Sequence, residues 1–419
     1  MTDFAGLELA QPILRAVSDE GYTSASPIQA KSIPPLMAGR DLLGIAQTGT
    51  GKTAAFALPM LHRLLESKRE RQRCQTRALI LAPTRELACQ IADSLRRYGR
   101  LLPLRTAVVF GGAPKRPQVR TLTQGVDVLV ATPGRLLDMM KLGHLQLHAV
   151  EFFVLDEADR MLDMGFIPDV KKITAALPKR RQTALFSATM PKSIQGLADA
   201  LLRDPVRIEA APAATTAEKV TQQVYFVHKE KKQSLIVELL NNEAIKRVLI
   251  FTRTKRGADR LATYLERNRI KTEAIHGDKD QRDRQTALNC FKSGQVRALV
   301  ATDVAARGID VSGVTHVINF DLPTDSESYV HRIGRTARAG KAGVAISFCD
   351  RDEHKYLRTI ERATKQNMSV IVDHPFHAAD IASGPGGSAR RPAASKKRPV
   401  RHYRGAKKPG GRAKKGRAA

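Results

Sequence analysis

The chain has 419 residues, enough for two or three domains, and 42% hydrophobic residues, an ordinary share for globular cores. Its 70 Lys and Arg against 41 Asp and Glu leave a formal charge of +29, which excludes an acidic surface and attracts phosphate polymers or anionic membranes; a plainly basic soluble surface is the competing explanation. No run approaches the roughly 18 apolar residues of a membrane span, the start Met1-Thr2-Asp3-Phe4 has no signal-peptide pattern, and Cys74, Cys89, Cys290 and Cys349 lack zinc or disulfide spacing, so a cytoplasmic location with reduced thiols is expected.

In chain order, short runs rich in Val, Ile and Leu predict strands over Asp41–Ile45, Ala78–Leu81, Thr106–Phe110, Val126–Val130, Phe152–Leu155 and Thr183–Phe186. Continuous apolar runs suit strands buried on both faces, and their alternation with helical segments predicts a parallel sheet with right-handed crossovers. Near Asp204-Pro205 the pattern breaks, and Ala210 to Thr216 reads as a linker. Alternation restarts at Val248–Phe251, Thr272–Ile275, Ala298–Val300, His316–Phe320 and Val344–Phe348.

The fold expected is α/β, with domain 1 over 1–208, a linker over 209–218, domain 2 over 219–372 and a disordered basic tail over 373–419. From Gly384 to Ala419 there are thirteen Lys and Arg and no Asp or Glu, a composition that cannot bury a core. Taking 13 from 29 leaves +16 on residues 1–383, so the folded part is basic in its own right. His374 and His377 are the closest histidine pair, but no further ligand near them points to metal.

Ala46-Gln47-Thr48-Gly49-Thr50-Gly51-Lys52-Thr53 follows the first predicted strand and opens a helix over Ala54 to Leu65, the context of a phosphate-binding loop. The glycines let backbone N–H groups wrap phosphate oxygens, and the helix points its positive end at the same anion. Lys52 is placed to reach the β and γ phosphates and Thr53 to hold Mg²⁺. Ala46 replaces the usual first glycine, so the loop alone is balanced against a plain glycine turn. A second element decides it: Asp156-Glu157-Ala158-Asp159 crowds three acids after the buried run Phe152–Leu155. Acids at a strand end are costly to desolvate without a cation. A magnesium nucleotide supplies one, with Asp156 holding the metal through water and Glu157 orienting and deprotonating the attacking water. In the second unit Arg335 and Arg338 are i, i+3 neighbours, able to face a γ-phosphate together.

The ordered motif set resembles the DEAD-box ATP-dependent RNA helicases over roughly residues 3 to 370. It comprises Gly21-Tyr22 through Ser26-Pro27-Ile28-Gln29, the phosphate loop, Pro83-Thr84-Arg85-Glu86-Leu87-Ala88, Gly111-Gly112, Thr132-Pro133-Gly134-Arg135, Asp156 to Asp159, Ser187-Ala188-Thr189, Gln281 with Arg284, Ala301-Thr302-Asp303 through Arg307-Gly308-Ile309-Asp310, and His331 to Arg338. Ala25 and Ala337 stand where Pro and Gly are usual. The short lead, Phe251 to Lys255 and the basic tail look most like the bacterial RhlE-type subgroup.

The resemblance implies two tandem RecA-like domains with a cleft between them. It implies ATP, with Gln29 reading the adenine edge, Phe4 packing on its ring, Thr48, Gly49, Thr50, Gly51, Lys52 and Thr53 on the phosphates, and Gly308 and Asp310 reaching from domain 2. Asp159, Ser187, Thr189 and His331 would couple hydrolysis to domain closure. RNA would lie on Thr84, Arg85, Gly112, Thr132, Gly134 and Arg135 in domain 1, and on Thr252, Arg253, Gln281, Arg284, Thr302 and Arg307 in domain 2. Such small, hydroxyl and Arg groups grip phosphates and 2′-hydroxyls without reading bases.

The expected activity is ATP-driven local separation of short RNA duplexes by a monomer, in ribosome assembly or RNA decay, with ribosomal or degradosome-type particles as partners. The alternative is an ATP-timed RNA clamp or particle-remodelling factor. A DNA motor is a third reading, which the motif set disfavours.

Overall fold

The computed structural model describes residues 3–46, 49–67, 69–209, 220–243, 245–306, 313–337 and 343–383. Thr48, Arg307, Gly308, Asp310, Arg338, nearly all of the expected linker and the basic segment 384–419 lie outside the described residues.

The first unit is a seven-stranded sheet of β1 (Leu42–Ile45), β2 (Thr76–Leu81), β3 (Thr106–Val109), β4 (Val126–Ala131), β5 (Phe152–Leu155), β6 (Gln182–Ser187) and β7 (Val206–Glu209). The second contains β8 (Val220–Phe226), β9 (Val248–Phe251), β10 (Thr272–Ile275), β11 (Ala298–Ala301), β12 (His316–Asn319), β13 (Gly343–Cys349) and β14 (Ser369–Val370). Every described strand pairing is parallel. The spatial orders are β3-β4-β2-β5-β6-β1-β7 and β10-β11-β9-β12-β13-β8-β14. Counted from its own first strand, the second sheet repeats the first strand for strand, so the units are topological copies.

Burial explains why the central runs are mostly apolar: β2, β4, β5 and β6 are buried at every position, with helices covering both faces, and the buried charges Arg77 and Asp127 pair with each other. β7, β8 and β14 carried weaker signals and were not expected. β7 is an edge strand with exposed Arg207 and Glu209. β8 has Gln222 among its apolar residues, and that side chain is buried because it accepts from the Tyr329 hydroxyl (2.8 Å) and donates to Gln366 (2.6 Å).

The expected disorder from residue 373 is corrected for 373–383. The Ala378 amide donates to Phe226 O (3.0 Å), Arg351 pairs with Asp380 (2.8 Å), and His354 Nε2 lies 2.9 Å from Ile381 O. Ala378 and Ile381 are buried in the second unit's core, an apolar plug too short to show in composition.

Candidate nucleotide site and nucleic-acid interface

β1 lies between β6 and β7, and its last residue, Ile45, is in register with Ser187 of β6. The Ala46 amide donates to Ser187 O (3.0 Å), so the phosphate loop leaves the sheet beside Ser187. Gly49 and Gly51 have φ of +86° and +94°, which L side chains adopt only with strain. A Cβ on Gly51 would also press into the Gln29 amide. The helix Lys52–Glu66 starts there, with Lys52 buried and donating to Ala46 O (3.0 Å).

Gln29 braces this loop. The Ser26 amide donates to Gln29 Oε1 (2.8 Å), Gln29 Nε2 donates to Gly51 O (3.2 Å), and Ser26 Oγ donates to Thr50 O (2.8 Å). Each Gln29 amide atom has a second hydrogen-bonding valence, leaving one donor and one acceptor for a ligand.

Asp156 and Glu157 follow β5, next to β6. Burial pushes the Asp156 carboxyl up to about 6; the Lys52 ammonium opposes this, while the Glu157 carboxylate adds to it. Glu157 sits at φ +54°, donating its amide to Asp156 Oδ1 (3.0 Å), and its carboxylate pairs with Arg160 Nη1 at 2.6 Å. Asp159 reaches across to the turn after β6. Its Oδ2 accepts from the amides of Ala188 (3.0 Å) and Thr189 (2.9 Å) and from Thr189 Oγ1 (3.2 Å), while its own amide donates to Ser187 Oγ (3.2 Å). The Thr189 hydroxyl also faces the Glu327 carboxyl of the second unit. Burial raises that carboxyl above its ordinary range; the Thr189 hydroxyl opposes the shift and nearby Asp163 and Asp159 reinforce it.

A cavity of about 840 Å³ joins these parts. Gln29, Gly49 to Thr53, Asp156 and Glu157 line it from the first unit, and Arg335 from the second. Phe4 does not border this cavity, contrary to expectation: it is buried and stacks on Tyr22 (centroids 6.0 Å apart, planes 19° apart), and Tyr22 and Tyr98 are rings that line the cavity. His331 and Arg335 both border a second, much smaller space against Arg160.

The residues expected to meet RNA fall at strand ends and helix starts. Thr84 caps the helix Arg85–Tyr98 by accepting from the Leu87 amide (3.3 Å), and Thr132 stands at the N-terminus of the helix Pro133–Lys141 without a side-chain capping bond. Thr252 and Thr302 follow β9 and β11 and are buried, while Gly134 is exposed. Gly112, at φ +74°, is where any Cβ would collide with the Arg85 guanidinium. Arg135 donates to Ala113 O (3.3 Å), Arg85 to Gln281 Oε1 (3.3 Å), and Arg284 pairs with Glu86 (2.7 Å). Burial lowers the Arg85 guanidinium from its ordinary value; Arg284 and Arg135 press it the same way and Glu86 opposes them. Three arginines therefore crowd one acid, which leaves room for anionic charge. Arg253 stands apart from this cluster, held by Glu353 (2.9 Å) and Leu322 O (3.2 Å).

Sequence reasoning assigned no role to Tyr22, Glu86, Arg160, Glu327 or Arg332. Arg332 is the clearest structural anchor: it holds Asp303 with two bonds (2.6 and 2.7 Å) and also donates to Asn319 Oδ1 and Asp321 O. Glu86 lay inside a quoted motif, but its partner, nearly two hundred residues away, carried no local signal.

The family described as DEAD/DEAH box helicase matches residues 26–197, and the helicase conserved C-terminal domain matches residues 230–340. The chain is 44% identical over 368 residues to the DEAD-box ATP-dependent RNA helicase RhpA of Helicobacter pylori, covering 88% of this chain and 74% of that protein. The solved structure of S. cerevisiae Dbp5 bound to RNA and ADP BeF3 superposes with a TM-score of 0.80 at 31% identity, covering 88% of this chain and 96% of that one. A DEAD box protein from the hyperthermophile Methanococcus jannaschii gives a TM-score of 0.53 despite 40% identity, covering 89% and 99%.

Proposed function

This chain belongs to the DEAD-box ATP-dependent RNA helicases, and we propose that it grips RNA without reading bases and separates short duplexes locally, driven by ATP hydrolysis between its two units. The observation that carries this is the cavity that Gly49 to Thr53, Gln29, Asp156 and Glu157 share with Arg335 of the other unit. A site completed only when both units meet makes hydrolysis depend on closure.

The remaining donor and acceptor of Gln29 match the acceptor and donor that adenine offers on its N7 and N6 edge. Tyr22, backed by Phe4, supplies the ring wall. The site fits magnesium: Asp156 is a fully buried carboxyl whose charged form is short of a cation, and Thr53 adds a hydroxyl, both hard oxygen donors. Bound there, Mg²⁺ would neutralise charge on the β and γ phosphates.

Glu157 takes the proton of the attacking water as its oxygen bonds the γ-phosphorus. The bond from that phosphorus to the β-bridging oxygen breaks, and ADP and phosphate result. Lys52 and Arg335, joined by Arg338, stabilise the charge that develops. Gly308 and Asp310 add second-unit contacts to the nucleotide. Asp159, Ser187, Thr189 and His331 transmit the state of the site to the interface. RNA lies on Thr84, Arg85, Gly112, Thr132, Gly134 and Arg135 and across to Gln281, Arg284, Thr252, Thr302 and Arg307, with Arg253 at the margin.

We place this activity in the cytoplasm, in a monomer acting on ribosomal or decay-related RNA particles. No helix among the described residues is long and apolar enough to cross a membrane. The basic segment 384–419 adds sequence-independent affinity. Each neutralised phosphate on a single strand contributes a slope of about −0.7 to log affinity against log salt, so deleting the segment flattens that slope.

The test is hydrolysis of ATP alone, with single-stranded RNA and with DNA of the same sequence, alongside release of a labelled strand from a short RNA duplex. Glu157→Gln is the control. Stimulation by RNA only, with strand release, both lost in the variant, is the expected result. Equal stimulation by DNA sinks the RNA reading, and ATP-dependent binding without strand release makes the protein a clamp.

A further inference from the structure

We propose that Arg160 forms a subsite for the inorganic phosphate that leaves the nucleotide cavity, a foothold behind Glu157 at the interface of the two units. The proposal rests on the hydrolytic reading above.

Arg160 is 2% exposed. Its Nη1 is committed to Glu157 at 2.6 Å, yet its Nη2 is buried with no hydrogen-bond partner. A guanidinium offers five donors in a rigid fork suited to oxyanions. If pairing with Glu157 were the whole purpose, nothing would offset the desolvation of the second arm.

Arg160 borders a space of about 10 Å³, roughly one water, whose far wall belongs to the second unit and includes Asp303, Ser328, His331 and Arg335. Arg335 also borders the nucleotide cavity, and so does Glu157, the partner of Arg160. The two spaces are therefore separated by the Glu157–Arg160 pair on one side and Arg335 on the other. Asp303 does not make the far wall repel anions, because Arg332 neutralises it through two bonds.

These positions set a direction for product release. While ADP still fills the loop from Gly49 to Thr53, phosphate leaves away from it, towards the unit interface. There the open arm of Arg160 is a buried donor without a partner. The space is too small for phosphate while the units are together and enlarges only as the second unit lifts. Release is thereby tied to cleft opening.

The test uses the full chain with saturating single-stranded RNA. It measures product inhibition of ATP hydrolysis by added inorganic phosphate and phosphate release with a fluorescent phosphate sensor. Arg160→Gln removes the charge, and Arg160→Lys keeps it as a point charge without the fork. Loss of a charged hydrogen bond predicts a phosphate inhibition constant raised at least about fivefold in the Gln variant, with KM for ATP within about twofold and a smaller rise in the Lys variant. An unchanged inhibition constant with a fall in kcat would show that Arg160 only orients Glu157, and would overturn the proposal. If the Gln variant fails to bind ADP and so is misfolded, the Lys variant decides: weaker phosphate inhibition supports the subsite and unaltered inhibition rejects it. Absence of RNA-stimulated hydrolysis in the unaltered chain would instead remove the reading on which the subsite depends.

Discussion

Glu86 of the first unit and Arg284 of the second form an ion pair at 2.7 Å, with both side chains nearly buried, in the middle of the residues expected to hold RNA. Gln281 donates to the same carboxylate (3.5 Å) while accepting from Arg85 (3.3 Å). Closing the units therefore orders the arginines expected to meet the phosphates.

The first prediction concerns this pair. Truncating one partner of a buried charge pair costs at least about 2 kcal/mol, or roughly thirtyfold. Glu86→Gln is expected to weaken RNA binding by that factor in the presence of a non-hydrolysable ATP analogue, and to leave ADP binding alone. A double-mutant cycle with Arg284→Gln should show strong coupling. Additive effects would mean that the pair plays no part in closure.

Much of this was legible in the chain because it is local. Asp156 and Glu157 adjoin one another after a strand, and the phosphate loop is one contiguous stretch. The alternation of apolar runs located eleven of the fourteen strands among the described residues. What escaped depends on chain segments meeting at a distance. The Glu86–Arg284 pair and the Thr189–Glu327 contact exist only because two units face each other. Phe4 and Tyr22 are both aromatic, and only packing decides which ring faces the cavity. The order of residues 373–383 depends on Ala378 and Ile381 finding the core, which a short stretch without a helical or strand period does not announce.

A second prediction follows from Asp159. One carboxylate oxygen serves three donors on Ala188 and Thr189, and Thr189 continues to Glu327. Thr189→Val removes the hydroxyl while keeping the shape, so it cuts the Oγ1–Asp159 bond together with the contact to Glu327 but leaves the two backbone bonds. Strand release should fall by about tenfold, one charged hydrogen bond's worth, while hydrolysis at saturating RNA changes far less. Equal losses in both assays would place Thr189 in the chemistry rather than in the coupling.

A third concerns pH. Burial raises Asp156 from an ordinary value of 3.8 to about 6. A carboxyl raised in the folded state contributes stability that is present below the unfolded value and lost as pH rises through the folded one. The unliganded protein should therefore lose this contribution between about pH 4 and pH 6. Magnesium binding requires the carboxylate, so thermal stabilisation by Mg²⁺ and ADP should grow from about pH 5 to pH 7. Asp156→Asn should flatten that growth. A wild-type shift independent of pH would show that Asp156 does not bind the ion.

The last concerns Ala337, which stands where the resembled family often has glycine and adopts φ +55°. Its neighbour explains the strain. Thr336 Oγ1 donates to both Val314 O (2.7 Å) and Thr315 O (3.1 Å), pinning the chain, while Gly343 packs so closely that a Cβ there would clash with Thr336 and Ala337. The backbone can turn only through left-handed space. A non-glycine residue there costs about 1–2 kcal/mol, and glycine's extra freedom when unfolded returns about 0.4–1 kcal/mol of that. Ala337→Gly should thus stabilise the second unit by roughly 0.5–1 kcal/mol, raising its melting transition by about 1–4 °C. A lowered transition would mean that the alanine methyl, which packs against the second unit's core, contributes more than the strain removes.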